Sequence, residues 1–177
     1  MSQFSLDCQN LKPKLGLDEE ACRLSSFVLC KAMADHLILW TKYNNFKHNL
    51  IGPHYLQLCK LLEKHECIVM HHLELIGKEI RNFGVRVPTP PEMVQLTRIT
   101  PIPSEKWPSE LQTLKLLLED QEIFIRHLMK DHWKVKDQND TATSDFLEEI
   151  IRMHKKMAKD LRAHLEDWEK GSKMLRR

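Results

Sequence analysis

Side chains that could bind a metal ion recur at helical spacing in the stretch KHNLIGPHYLQLCKLLEKHECIVMHHLELIGKEIRNFG, residues 47–84. Four of them follow one another at intervals of four residues, which places them on one face of a helix, with His48 close in sequence. They are Cys59, Glu63, Cys67 and His71. Thiolate and imidazole ligands suit Zn²⁺ or copper better than Fe²⁺. An ideal helix separates such residues by about 6 Å, so only neighbours could share an ion, and another helix or subunit would have to complete the site.

The chain contains ten histidines, and His65, His71 and His72 lie close together in sequence. Imidazoles bind metals and titrate near neutral pH, so these histidines could form a metal site or a pH switch. The sequence contains neither an H-E-x-x-H motif nor the Glu-x-x-His pair of di-iron bundles. We therefore expect most histidines at the surface. The alternative for the cysteines is a structural one, in which each packs as a small apolar side chain.

Length and composition favour one domain without a membrane segment. The chain has 177 residues, 42% of them hydrophobic, which is enough for one sizeable core. Because 27 basic residues nearly balance 25 acidic ones, the chain as a whole is not drawn to nucleic acid or to an anionic membrane. Five cysteines without a C-x-x-C pair do not resemble a disulfide framework. With no signal-peptide pattern and no long apolar run, we expect a cytoplasmic protein.

The elements that carry these residues are predicted to be helices, because the sequence contains only five glycines and many Leu, Lys, Glu and Met. A first helix is predicted from the acidic residues 18–20 to the Asn, Gly and Pro residues at 49–53. A second helix carries an apolar stripe from Tyr55 to Ile80 and stops at Gly84.

Prolines in the stretch 85–110 exclude a long helix there and leave room for a short one at about 92–97. A third helix is predicted from Pro108 to about Val135. A fourth has the clearest apolar period of the chain: Phe146, Ile150, Met153, Met157, Leu161, Leu165 and Trp168. The predicted fold is all-α, a ferritin-like four-helix bundle with a short extra helix in the long link between helices 2 and 3. The predicted domains are an N-terminal tail (1–17), the bundle (18–170) and a short basic C-terminal tail (171–177).

Two segments resemble the characteristic stretches of the Dps proteins, mini-ferritins named for protecting DNA during starvation. They are HNLIGPHYLQLCKLLEKH…LELIGKEIRNFGVRVPTP on the second helix and DTATSDFLEEIIRMHKKMAKDLRAHL on the fourth. The stretch TPPEMVQLTRITP stands where that family carries its short extra helix, and the resemblance covers about residues 20–168. It implies a homo-oligomeric cage of twelve subunits that stores iron, acts as a ferroxidase against oxidative stress, and associates with the nucleoid.

The resemblance also implies a metal site shared between two subunits, and the chain departs from the family at its ligand positions. These positions fall on Lys47, Cys59, Glu63, Glu74 and Lys78. Only Glu63 and Glu74 keep the family's chemistry, and the two lysines cannot ligate, because a protonated lysine has no lone pair to donate. We expect the lysines to form an intersubunit salt-bridge cluster with these glutamates. A metal set of Glu63, Glu74, His48 and Cys59 is the alternative, with iron, zinc or copper as the ion, so ferroxidase activity stays open.

Two further sets follow from the resemblance. Asp140, Asp145 and Glu149 match the acidic residues of the ion-entry pore, although Asp140 or Thr141 could instead cap a helix. The C-terminal segment EKGSKMLRR supplies a candidate tail for non-specific DNA binding, and a solvated terminus is its alternative. Its basic residues are Lys170, Lys173, Arg176 and Arg177. A non-enzymatic cage that compacts DNA or serves as a scaffold is thus the rival function.

Overall fold

The computed structural model describes residues 13–100 and 107–174. Within these ranges the chain forms five helices and no strand, which confirms the all-α prediction. The helices are α1 (Glu19–Asn49), α2 (Tyr55–Asn82), α3 (Pro90–Leu96), α4 (Glu110–Asp137) and α5 (Thr141–Met174). The predicted boundary at residue 170 lies inside α5, which continues to Met174.

Local capping explains where several helices begin. The Asp18 carboxylate accepts a hydrogen bond of 2.7 Å from the backbone N–H of Ala21 at the start of α1. Capping boxes open α3, through Thr89 and Glu92, and α4, through Ser109 and Gln112. Each cap satisfies backbone donors that would otherwise lack a partner at a helix N-terminus.

The loop between α1 and α2 requires a glycine. Gly52 has a φ of 155°, and a Cβ there would collide with the Glu110 carboxylate at the start of α4. That carboxylate accepts a hydrogen bond of 3.1 Å from the backbone N–H of His54. The absence of a side chain at Gly52 therefore lets the two helical hairpins approach each other.

The four long helices form the bundle. α1 packs against α2, α4 packs against α5, and α1 also contacts α4 and the short helix α3. Each long helix presents its core side chains at alternating three- and four-residue steps, the spacing of bundle helices that cross at shallow angles. On α1 and its C-cap residue, these core positions are Leu29, Ala32, His36, Leu39, Tyr43, Phe46 and Leu50. One of the seven is thus a histidine, although its neighbours in the series are apolar or aromatic.

A partly buried arginine holds the long link to the bundle. The Arg98 guanidinium donates hydrogen bonds of 2.7 and 2.9 Å to Asp35 on α1 and also pairs with Asp131 on α4. The backbone N–H of Arg98 donates a further bond of 2.6 Å to Asp35. These charge-assisted hydrogen bonds to carboxylates on two helices fix the direction of the segment after α3.

Two sequence predictions concern the cysteines and the membrane. Within the part of the chain that the structure describes, Cys22, Cys30, Cys59 and Cys67 form no disulfide bond. Among the described residues, no helix combines the length and apolar character that crossing a bilayer requires.

Candidate metal centre

Three histidines converge inside the bundle from three different helices. His36 lies on α1, His72 on α2 and His154 on α5, and their exposed fractions are 0%, 5% and 0%. Each offers a ring nitrogen, and the three nitrogens all lie within 4.8 Å of one another. Each histidine occupies a position in the core series of its own helix, so the helical register itself directs the three imidazoles inward.

Within the cluster, His36 and His154 lie at hydrogen-bond distance from each other. Their Nε2 atoms are 3.3 Å apart, and the ring planes cross at 89°. Phe124 of α4 completes this layer, with ring centroids 4.8 Å from His36 and 4.5 Å from His154. On α2, His72 Nδ1 is buried and has no hydrogen-bond partner among the described residues. The cluster therefore contains an imidazole whose hydrogen-bonding capacity the surrounding protein does not use.

Two buried polar residues extend the cluster toward α4. His154 Nδ1 lies 2.6 Å from Gln121 Oε1, and Gln121 Nε2 donates a hydrogen bond of 2.8 Å to the Tyr43 hydroxyl. Gln121 and Tyr43 are both fully buried. On the other side, His36 Nδ1 lies 2.8 Å from the carbonyl oxygen of Ala32, one turn earlier on α1. Both histidines thus engage Nδ1 in a hydrogen bond while Nε2 faces the centre.

Burial keeps these imidazoles neutral. It lowers the pKa of His36 to about 3 and holds the pKa of His154 well below its ordinary value. The pKa of His72 is also lowered, first by burial and then by His71, while Glu149 acts in the opposite direction. A neutral imidazole keeps a lone pair, which is the form that ligates a metal. The chemistry of the donor set therefore fits a divalent transition-metal ion, and three histidines with one open position are an established zinc arrangement.

The predicted interface positions lie outside the histidine cluster, and three of the five, Lys47, Glu74 and Lys78, form ion pairs. The Lys47 ammonium, at the end of α1, hydrogen-bonds to the Glu66 carboxylate on α2, a residue that the sequence prediction did not include. Asn44 donates a bond of 2.8 Å to the same carboxylate. The hydrogen bond with Glu66 raises the pKa of Lys47, and Glu63 and Cys59 act in the same direction. The lysine is thus held in its charged, non-ligating form.

Two further interface positions, Glu74 and Lys78, form a separate pair within one chain. Glu74 and Lys78 are both exposed and pair one helical turn apart, with Nζ 2.8 Å from the carboxylate. Eleven residues separate Glu63 from Glu74, which corresponds to about 16 Å along α2 at 1.5 Å per residue. The five positions could therefore meet only across two subunits. His48 is exposed at the end of α1 and belongs to no cluster of three or more metal-binding side chains among the described residues.

The predicted pore residues have different environments. Asp140 is buried and caps α5, accepting hydrogen bonds of 3.0 Å from the Thr143 backbone and 2.6 Å from Ser25. Asp145 and Glu149 are exposed on the first turns of α5. The DNA-binding candidates lie outside the described residues: the positions of Arg176 and Arg177, and the side chains of Lys170 and Lys173, are not described.

Comparison with known proteins identifies the family to which this fold belongs. The family model of the ferritin-like domain matches residues 28–171. The chain belongs to the ferritin-like family. Its fold is that of the Dps branch: the structure of DpsC from Streptomyces coelicolor superimposes with a TM-score of 0.83 at 23% identity, covering 93% of this chain and 95% of that one. Dps from Mycobacterium smegmatis gives a TM-score of 0.81 at 18% identity, over 89% and 94% of the two chains. A low temperature-induced protein of Nostoc sp. is 25% identical over 154 residues, 86% of each chain.

Within the ferritin-like bundle, the histidine cluster is what sequence reasoning missed. The expectation that most histidines lie at the surface is wrong for His65 and His72, which are buried, and His36, His132 and His154 are buried as well. The predicted α5 stripe used Met153, whereas the buried residue is His154. The signal was present in the register, because His36, His72 and His154 each occupy a position in a mainly apolar series of three- and four-residue steps.

Proposed function

We propose that this protein is a Dps-like mini-ferritin cage that limits metal and oxidative stress by binding metal, with a metal centre inside the bundle of each subunit. The observation that carries the proposal is the convergence of His36, His72 and His154, whose ring nitrogens lie within 4.8 Å of one another in the core. Burying three imidazoles without full hydrogen bonding is unfavourable unless something compensates, and a bound ion is such a compensation. The resemblance to Dps makes iron the expected cargo of the cage.

In this proposal the ferroxidase site that the resemblance places at the subunit interface cannot bind Fe²⁺. Lys47 is tied to Glu66, and Lys78 to Glu74, within a single subunit. Ammonium groups at these positions repel Fe²⁺ and offer no lone pair, so the two glutamates that remain, Glu63 and Glu74, do not form a ligand set on their own. The ion pairs supply the positive charge that a metal would otherwise bring to the carboxylates.

The residues of the centre have separable tasks. His36, His72 and His154 would hold the ion, and a bound divalent ion would supply a Lewis-acid position and a cross-link between α1, α2 and α5. Phe124 packs against two of the rings and excludes water from that side. Gln121 and Ala32 accept the Nδ1 protons and so leave the Nε2 lone pairs available.

Assembly and ion entry follow the family resemblance. We expect twelve subunits, and native mass spectrometry of the purified protein tests that number. Asp145 and Glu149, repeated around a three-fold axis, would concentrate cations at an entry pore. Asp140 would contribute by fixing the first turn of α5 rather than by lining the opening.

The rival function, DNA compaction or a scaffold without metal chemistry, depends on the tail residues Lys170, Lys173, Arg176 and Arg177. It stays a prediction that salt dependence tests. If twelve weak tails bind phosphates together, affinity falls steeply with salt, and deletion of residues 171–177 abolishes it.

The deciding experiment combines metal retention with iron oxidation. The purified assembly is dialysed against Zn²⁺ or, without oxygen, against Fe²⁺, and the bound metal is counted. We expect retention in the native chain and loss in His72→Leu. His65→Leu is the matched control, because His65 is also a buried α2 histidine but is not part of the cluster.

Iron oxidation by H₂O₂ is then followed beside a protein-free control. The native chain is expected to match that control, whereas the combined variant Lys47→His, Cys59→His, Lys78→Glu is expected to oxidise Fe²⁺ faster. Fast oxidation by the native chain would contradict the proposal that the interface site cannot bind Fe²⁺. Equal metal retention by native protein and His72→Leu would contradict the centre in the bundle.

A further inference from the structure

We infer that the histidine cluster is a single-ion centre for a divalent cation of the Zn²⁺ class rather than a site of iron oxidation, and that Gln121, supported by Tyr43, is the residue that positions His154 for ligation. The inference rests on the proposed function, because it assigns the ion class and the supporting residues of the same centre. It concerns an ion resident in the bundle and is separate from the cargo of the cage.

The donor set determines the class of ion. Among the described residues, no carboxylate or thiolate joins the three imidazoles. Di-iron sites in helical bundles are built from carboxylates on all four helices, and those carboxylates balance the charge of two irons. Three neutral nitrogen donors instead suit a single Zn²⁺, Cu²⁺ or Ni²⁺ ion. Oxidation of Fe²⁺ to Fe³⁺ here would add a charge in the core without an anion beside it, which is unfavourable.

The observed spacing agrees with a tetrahedral centre. Metal–nitrogen bonds of about 2.0–2.1 Å at tetrahedral angles place two ligand nitrogens about 3.3–3.4 Å apart. The Nε2 atoms of His36 and His154 are 3.3 Å apart. Two of the three donors therefore already stand at ligand spacing, and the third nitrogen, from His72, lies within 4.8 Å of both.

The tautomer of His154 depends on Gln121. Because Gln121 Nε2 donates to the Tyr43 hydroxyl, its Oε1 faces His154 and can only accept. His154 must then carry its proton on Nδ1, which leaves a lone pair on Nε2. His36 is fixed in the same way by the Ala32 carbonyl. Two lone pairs thus face each other across 3.3 Å with no proton between them, an arrangement that a cation stabilises.

The opposite orientation of the amide defines the competing arrangement. If Gln121 donated to His154 Nδ1, the Nε2 proton of His154 would bond to His36 and block both donors. In the structure the amide nitrogen instead faces the Tyr43 hydroxyl, which accepts its hydrogen bond. A carboxylate at position 121 cannot donate at all, so Gln121→Glu keeps the ligating tautomer. Gln121→Leu removes the acceptor while nearly conserving the volume.

The test measures binding in the assembled protein, using Zn²⁺ in competition with a chromogenic chelator and Co²⁺ absorption as a report of coordination. We expect one Zn²⁺ per subunit, affinity about 10- to 100-fold weaker in Gln121→Leu, and affinity at least equal to native in Gln121→Glu. Tyr43→Phe is expected to weaken binding less than Gln121→Leu, because the amide can then turn. Metal-free melting curves and assembly size show that each variant is folded.

The outcomes separate the two proposals. If the native chain binds Zn²⁺ and loses it in His72→Leu, but Gln121→Leu binds as tightly as native, the positioning role is wrong and the metal centre stands. If two ions bind per subunit, or Fe²⁺ displaces an equal concentration of Zn²⁺, the assigned ion class is wrong. If neither Zn²⁺ nor Co²⁺ binds the native chain, the metal centre of the proposed function fails as a whole.

Discussion

The Nε2 atoms of His36 and His154 face each other across 3.3 Å in the centre of the bundle, although 118 residues separate them in sequence. Neither residue is one of the subunit-interface positions that the family resemblance predicts. The contact therefore marks a metal-binding potential within one subunit, and it accounts for the presence of histidines at positions where neighbouring layers carry apolar side chains.

Replacing His72 by leucine is expected to stabilise the metal-free protein and to abolish its response to metal. The substitution removes a buried nitrogen without a hydrogen-bond partner, and such an atom costs about 1–3 kcal/mol. Thermal melting with chelator and with excess Zn²⁺ measures both effects. Native protein should melt at higher temperature with Zn²⁺, whereas His72→Leu should melt at one temperature in both conditions.

The control for this prediction is His65→Leu, seven residues earlier on the same helix. Both ring nitrogens of His65 are buried without a hydrogen-bond partner, and its Nε2 lies 3.6 Å from Asp160, beyond hydrogen-bond length. His65→Leu should gain stability similarly but keep the full Zn²⁺ shift. Loss of the shift in both variants would attribute it to a general change in the core.

Acid should destabilise the metal-free fold through His65. Burial lowers the pKa of His65 from 6.5 to about 4 in the folded state. Between these two values the unfolded chain binds one more proton at His65, so this residue alone lowers the free energy of unfolding by about 1.4 kcal/mol for each pH unit below 6.5. Urea denaturation across this range, with chelator present, measures the slope. It should be shallower in His65→Leu, and an unchanged slope would contradict the assignment.

Removing one member of the buried ion pair between Lys42 and Asp120 should lower the free energy of unfolding strongly. Replacing both members by apolar residues should lower it little. Lys42 Nζ lies 2.6 Å from the Asp120 carboxylate, and both side chains are buried. Burial raises the pKa of Asp120, and the hydrogen bond from Lys42 opposes that shift. Lys42→Met leaves the carboxylate unpaired and should lower the free energy of unfolding by about 3–5 kcal/mol. The double variant with Asp120→Leu should recover most of this loss in urea denaturation. A double variant no more stable than Lys42→Met would contradict the account.

The fold could be predicted from the sequence because most of its determinants are local. Proline in the link, few glycines and apolar residues at three- and four-residue steps indicated four long helices and a short one, and the structure contains these helices. The Asp18 cap and the buried Leu62, Val69 and Ile76 belong to patterns that a single helix displays.

The metal centre could not be predicted in the same way because it depends on three helices at once. Sequence periodicity is recognised from apolar side chains, and it therefore selected Met153 in place of its buried neighbour His154. The ion pair between Lys47 and Glu66 was missed for a related reason, since it joins the end of one helix to the side of another. Only the packed bundle brings such residues together.

The central claim is that metal binds inside the bundle and not at the interface positions. Crystals of the native assembly grown with Zn²⁺, with diffraction recorded on both sides of the zinc absorption edge, locate the ion directly. The account predicts one anomalous peak per subunit between His36, His154 and His72. A peak beside Cys59 and Glu63, with none among the three histidines, would contradict it.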